Sequence, residues 1–158
     1  MSEGVKRPFG LKKWLFRLPI YFYRARLGWI FGRRFLLLNH VGRKSGQPRQ
    51  AVLEVVRYDK ATDTHYIAAG FGHQSHWYQN IVATPKVVVK VGFRQLLVEA
   101  KPLSLAESGE MMVWYAAKYP RLVRGLLGMV GHQVDGTEAG YRELGEQQIP
   151  FVALVPIG

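Results

Sequence analysis

The chain contains no cysteine, which excludes disulfides and thiolate metal sites and is compatible with a reducing compartment. Acidic residues are nearly absent from its first third. Residues 1–50 carry twelve Lys and Arg against Glu3 alone, a net of +11, whereas residues 51–158 hold ten charges of each sign and balance. A uniformly basic nucleic-acid surface does not look like this, so no nucleic-acid partner is expected; a basic arm and a basic turn on a balanced body fit better. Long apolar runs are also missing: none approaches the ~20 residues that span a bilayer, and no signal peptide with a small-residue cleavage site is visible. A cytoplasmic protein is therefore expected. What the chain does have is apolar mass, 48% hydrophobic and 13% aromatic over 158 residues, enough for one domain with a sizeable core.

The stretch that organises the rest is residues 35–56, FLLLNHVGRKSGQPRQAVLEVV. Two apolar runs, read as strands over residues 35–41 and 50–58, flank a turn bent by Gly42, Gly46 and Pro48. In that turn Arg43, Lys44 and Arg49 supply two guanidinium forks and an ammonium, and Ser45 a hydroxyl. These are the groups that suit a phosphate. A P-loop is excluded because Arg43 precedes the lysine and a β-branched segment follows it; a nucleophile elbow is excluded because Gly42 lies three residues before Ser45. A solvated hairpin tip and an anion site both remain open on these residues alone.

Upstream, over residues 11–30, Leu11, Trp14, Leu15, Leu18, Phe22, Ala25 and Trp29 recur at helical spacing with Lys13, Arg17 and Arg24 opposite. The segment, ending at Ile30 and broken or kinked at Pro19, can lie on an anionic membrane surface as a peripheral anchor or cover the sheet. Downstream, residues 59–63 read as a turn and 64–69 as a third strand. A loop over 70–75 leads to a short helix begun by Ser75 as N-cap and stopped by Pro85. Strands follow over 86–91 and 93–101. Ser104 and Glu107 form a capping box for a helix to about Lys118, and Pro120 starts another to about Leu127. Residues 128–149, glycine-rich and polar, read as a connection of weak structure, and 150–156 as a last strand. Six strands with tight turns and few intervening helices predict an antiparallel sheet or small barrel.

His73 and His76 lie three apart, but no cysteine or carboxylate completes a ligand set, so no metal is expected. His40, His65 and His132 are isolated and read as structural. Trp77 reads as a core anchor, Tyr115 and Tyr119 as a packed i, i+4 pair, and Asn80 either caps the turn or contacts a ligand.

Taken together, GRKSGQPR after a strand, a strand ending Ala68-Ala69-Gly70, then Trp77-Tyr78-Gln79-Asn80 and Pro85 before a valine-rich strand resemble the deazaflavin-dependent nitroreductase family. The resemblance is close over residues 35–91 and looser beyond. It implies an α+β, mainly β, split β-barrel of pyridoxamine-phosphate-oxidase-like type with flanking helices: a basic amphipathic N-terminal arm over residues 1–33 and one barrel domain over 34–158. It implies binding of coenzyme F420, an 8-hydroxy-5-deazaflavin, with the phosphate on Arg43, Lys44, Ser45 and Arg49. The ring would pass along Gln50, Ala51, Val52, Leu53 and Glu54, and Ala68, Ala69, Gly70, Phe71, His76, Trp77, Tyr78, Gln79 and Asn80 would complete the site. The expected activity is hydride transfer to a small organic acceptor such as an enone, quinone or nitro compound, the acceptor lying near Trp77 and Tyr78; no catalytic side chain is assigned. Arg26, Arg33 and Arg34 could meet lipid phosphates, the coenzyme tail or only solvent.

Two features depart from the family. Phe71 stands where some members have a lysine suited to the anionic coenzyme tail, and the segment after Tyr119-Pro120 lacks the substrate-side tyrosines of some members, which argues against activation of nitroaromatic drugs. Flavin mononucleotide is the alternative cofactor, and an apolar-ligand or lipid-binding barrel the non-enzymatic alternative. A homodimer is expected from the way such barrels pair.

Overall fold

The computed structural model describes residues 33–157; the amphipathic segment expected over 11–30 lies outside them. Seven strands, β1 (Phe35–Val41), β2 (Pro48–Glu54), β3 (Arg57–Asp59), β4 (Thr64–Ala68), β5 (Lys86–Val91), β6 (Arg94–Pro102) and β7 (Phe151–Pro156), form one sheet. Its order is β2-β1-β5-β6-β7-β4-β3, and every pairing is antiparallel. The helices are α1 (His76–Ala83), α2 (Leu105–Lys118), α3 (Pro120–Met129) and α4 (Glu138–Gln147). The sheet curls so that β2, at one edge, approaches β4, next to the other, giving the half-barrel that the strand pattern and the resemblance anticipated.

The curl explains one difference from the sequence reading. Residues 50–58 were expected as a single strand, but the chain pairs with β1 only as far as Glu54 and with β4 from Arg57. Val55 and Val56 carry it across the opening between the two sheet edges, held by Val55 N–H to Arg34 O (2.8 Å) and Val56 N–H to Tyr66 O (2.9 Å). An apolar run cannot show this break, because both halves have the same period of two.

Side-chain alternation separates two cores. Leu36, Leu38, Val89, Val98, Val152 and Leu154 point into the curl, closed by Ile81 of α1. Phe151 faces the other way, into a layer made by Met112, Tyr115, Val123, Leu127, Tyr141 and Leu144 from α2, α3 and α4. β7 is therefore apolar throughout because both of its faces are covered.

The connection expected over residues 128–149 instead contains the end of α3 and all of α4. Thr137 caps α4 through Gly140 N–H (3.0 Å), and the helix packs closely on α2. A Cβ on Gly145 would stand 2.9 Å from Gly109 Cα and 2.8 Å from Met112 Cβ. Gly145, one of the glycines that made the segment look loose, permits this close approach where it faces Gly109 of α2. The capping box of Ser104 and Glu107 is present at the start of α2. Ser75 is not a side-chain cap for α1; its hydroxyl donates backwards to Gly72 O (2.9 Å).

Candidate functional site

Six residues separate β1 from β2, and the backbone of this turn closes on itself. Gly42 N–H donates to Gln47 O (2.9 Å) and Gly46 N–H to Gly42 O (2.8 Å), with Gly46 at φ +70°, a conformation that favours glycine. Ser45 Oγ accepts from Gln47 N–H (3.2 Å). Arg43, Lys44, Ser45 and Arg49 are all exposed. The turn thus presents three cations and a hydroxyl on a short, braced loop, a donor set that fits a phosphate group.

The brace comes from α1. Asn80 is 3% exposed, and its Oδ1 accepts from both the backbone N–H and the Nη1 of Arg43, each at 3.0 Å. With the oxygen so engaged, the amide nitrogen donates to His40 Nδ1 at 3.0 Å. His40 must therefore carry its proton on Nε2, and burial, with Arg49 next, lowers its pKa to about 4. Arg43 also meets His76 Nδ1 at 3.4 Å. Asn80 is the hub that fixes the turn on α1, one of the two roles open for it in the sequence. His40 was missed as part of this array. Its alternation with Leu36 and Leu38 was the available signal, since it places the ring on the inward face.

β2 runs from the turn as an edge strand, and residues 50–54 are half-buried without exception. Ala51 and Leu53 oppose Leu38 and Leu36 on the inner face, while Gln50, Val52 and Glu54 point the other way. Gln50 Nε2 donates to Asn39 Oδ1 (3.0 Å). At the far end Glu54 Oε1 accepts from Tyr115 Oη at 2.7 Å. Burial raises the Glu54 pKa, an effect opposed by the Tyr115 hydrogen bond and by Arg34; burial and the same bond push the Tyr115 hydroxyl well above its usual range. The two residues are 61 positions apart, and no sequence signal links them; Tyr115 read only as a packed residue.

The remaining residues expected at the site divide. Trp77 and Tyr78 pack partly buried against the inner core, with ring centroids 6.1 Å apart, and Gln79 Nε2 donates to His73 O. Ala68 packs in the outer core, Ala69 N–H donates to Pro150 O (2.9 Å), and Gly70 O accepts from His132 Nε2 (2.8 Å). The 68–71 segment is thus tied to the α3 end and to the start of β7, while the turn is tied to α1. Phe71 follows Gly70 in that segment and carries no charge for an anionic tail. Among the described residues no group of three His, Asp or Glu could hold a metal ion.

The F420H(2)-dependent quinone reductase family model matches residues 16–124. The chain belongs to this family. It is 32% identical over 123 residues to an F420H(2)-dependent quinone reductase of Mycobacterium tuberculosis, covering 72% of this chain and 78% of that protein, and equally similar to a relative in Mycobacterium bovis. Among solved structures, an F420-H2-dependent reductase, FDR-A, superposes with a TM-score of 0.51 at 24% identity, covering 78% of this chain and 95% of that one. A domain-swapped dimer superposes with a TM-score of 0.52 at 21% identity, covering 86% and 98%. Membership makes the chain an oxidoreductase of the F420-dependent class, as the paired motifs implied.

Proposed function

We propose that this protein binds reduced coenzyme F420 on the 42–49 turn and along β2, and uses it to reduce a quinone or a related planar acceptor. The observation that carries the reading is the braced turn: Asn80 holds the Arg43 backbone and guanidinium at once, so Arg43 is ordered before an anion binds, with Lys44 and Arg49 exposed on the same short turn. The coenzyme, when bound, supplies the hydride equivalent at its C5.

The chain's own residues bind, orient and exclude water. Arg43, Lys44, Ser45 and Arg49 would hold the phosphate. The half-covered strand from Gln50 through Ala51, Val52 and Leu53 to Glu54 would support the ring, and α1 packs on the inner core through Ile81, Trp77 and Tyr78. Phe71 supplies no charge for the coenzyme's anionic tail. Residues 68–71 and 76–80 would flank the site. The amphipathic residues 11–30 would hold the protein against an anionic membrane surface, and two chains would pair; deletion of residues 1–30 and light scattering test these two points.

The deciding experiment is a parallel fluorescence titration with F420 and flavin mononucleotide. Tighter binding of the deazaflavin, weakened at least tenfold (about 1.4 kcal/mol) in Arg43→Ala/Lys44→Ala, is the expected result. Unchanged affinity in a folded double variant would remove the turn as the phosphate site, and preference for the flavin would reassign the cofactor.

A further inference from the structure

A second feature lies at the other end of β2. An open cleft of about 840 Å³ separates the β2–β3 crossover from the corner between α2 and α3. Arg33, Arg34, Arg57 and Lys118 line it, and among the described residues none of the four is in an ion pair. Its lining contains one carboxylate, Glu54, which is engaged by Tyr115. Four like charges gathered between low-dielectric walls repel one another and focus a positive potential into the space between them.

The same walls are aromatic. The Arg57 guanidinium lies 4.7 Å from the Trp114 ring centroid, and Lys118 Nζ lies 5.1 Å from Trp114 and 5.8 Å from Tyr119. Cations placed against rings are held without a carboxylate and remain able to meet an anion. Shape, charge and lining select together: the cleft falls within the size range of small-molecule sites, has rings for a flat ligand and has an excess of positive charge.

We propose that this cleft binds a planar aromatic anion, a ring system carrying a carboxylate or an ionised hydroxyl. Its ring lies among Trp114, Tyr115 and Tyr119, and its negative group is met by Arg34, Arg57 and Lys118. This places the acceptor away from Trp77 and Tyr78, where the sequence put it, and names the acceptor class of the proposed reductase; it rests on that reading only for the acceptor's reduction, and binding to the cleft requires no coenzyme.

The test is calorimetric titration of the full chain, without coenzyme, with 2-hydroxy-1,4-naphthoquinone, an anion at neutral pH, and with the neutral 2-methyl-1,4-naphthoquinone. The two share a ring system and differ in charge. The hydroxyl compound is expected to bind at least tenfold tighter, with the preference shrinking as salt rises from about 0.02 M to about 0.5 M. It is expected to disappear in Arg57→Gln/Lys118→Gln and to persist in Lys86→Gln/Lys90→Gln, which removes equal charge from β5. Equal affinity for the two naphthoquinones overturns the proposal, as does a preference that survives the Arg57/Lys118 variant, or displacement by an oligo-γ-glutamate of matching affinity. Loss of F420 binding with this preference intact would refute the coenzyme reading alone, and the converse would refute the cleft alone.

Discussion

Lowering the pH should loosen the turn through one residue, His40. Its ring is 6% exposed, and its pKa is lowered from 6.5 to about 4, by burial first and by Arg49 second. Because the unfolded chain takes up this proton more readily, the stabilising contribution is complete above the unfolded value and is lost as the pH falls from 6.5 towards 4. At 1.36 kcal/mol per pKa unit the full loss is about 3 kcal/mol, which screening of the exposed Arg49 reduces to about 2 kcal/mol. Protonation also opposes the accepted bond from Asn80, the residue that holds Arg43. The assay is urea unfolding at several pH values from about 8 to about 4, for the unmodified chain and for His40→Gln, whose side-chain oxygen can still accept from Asn80 but does not titrate. Subtracting the two curves removes the contribution of His65, whose pKa is lowered in the same direction by burial. The difference should grow by about 2 kcal/mol across the window. A difference flat to within about 0.5 kcal/mol, or an NMR titration placing His40 near its ordinary value, would refute the argument.

Other substitutions test the packing and the cleft. Gly145→Ala should destabilise by about 1–3 kcal/mol in denaturant unfolding, because the new methyl meets the α2 backbone at Gly109 rather than a side chain that can move. Ser108→Ala should cost about 1–3 kcal/mol, since it leaves the buried Phe151 N–H without the hydroxyl it bonds at 3.1 Å. Tyr115→Phe removes a hydrogen bond that lowers the Glu54 pKa, so the carboxyl should titrate still higher by carbon NMR. A raised carboxyl pKa means stability falls as the pH rises from 4.5 through the folded value; Tyr115→Phe should extend that window upward. If the Glu54 titration does not move, Tyr115 is not its controlling partner.

The basic turn, the strand on either side of it and the capping box were legible because each is local. Glycine and proline positions, period-two alternation and a serine three residues before a glutamate act through bonds within a few residues. The family motifs were legible for the same reason, as spacings along the chain. The helix α4 was not, since Gly140 and Gly145 lower its intrinsic propensity and the reason for Gly145, its close approach to α2, lies far away in the chain. Likewise the strand break at Val55 and Val56 follows from the sheet's curl, which is a property of seven strands together.

For function, the sequence by itself determined the charge of the turn and the family, because both are written in residue types at fixed spacing. The tertiary structure decided what supports and what confronts those residues. It placed Asn80 and His40 beneath Arg43, and it brought Glu54 to Tyr115 and Arg57 to Trp114 across 61 and 57 positions of chain. Such pairs depend on the register of strands and the packing of helices, and a one-residue slip in β2 would turn Glu54 to the opposite face.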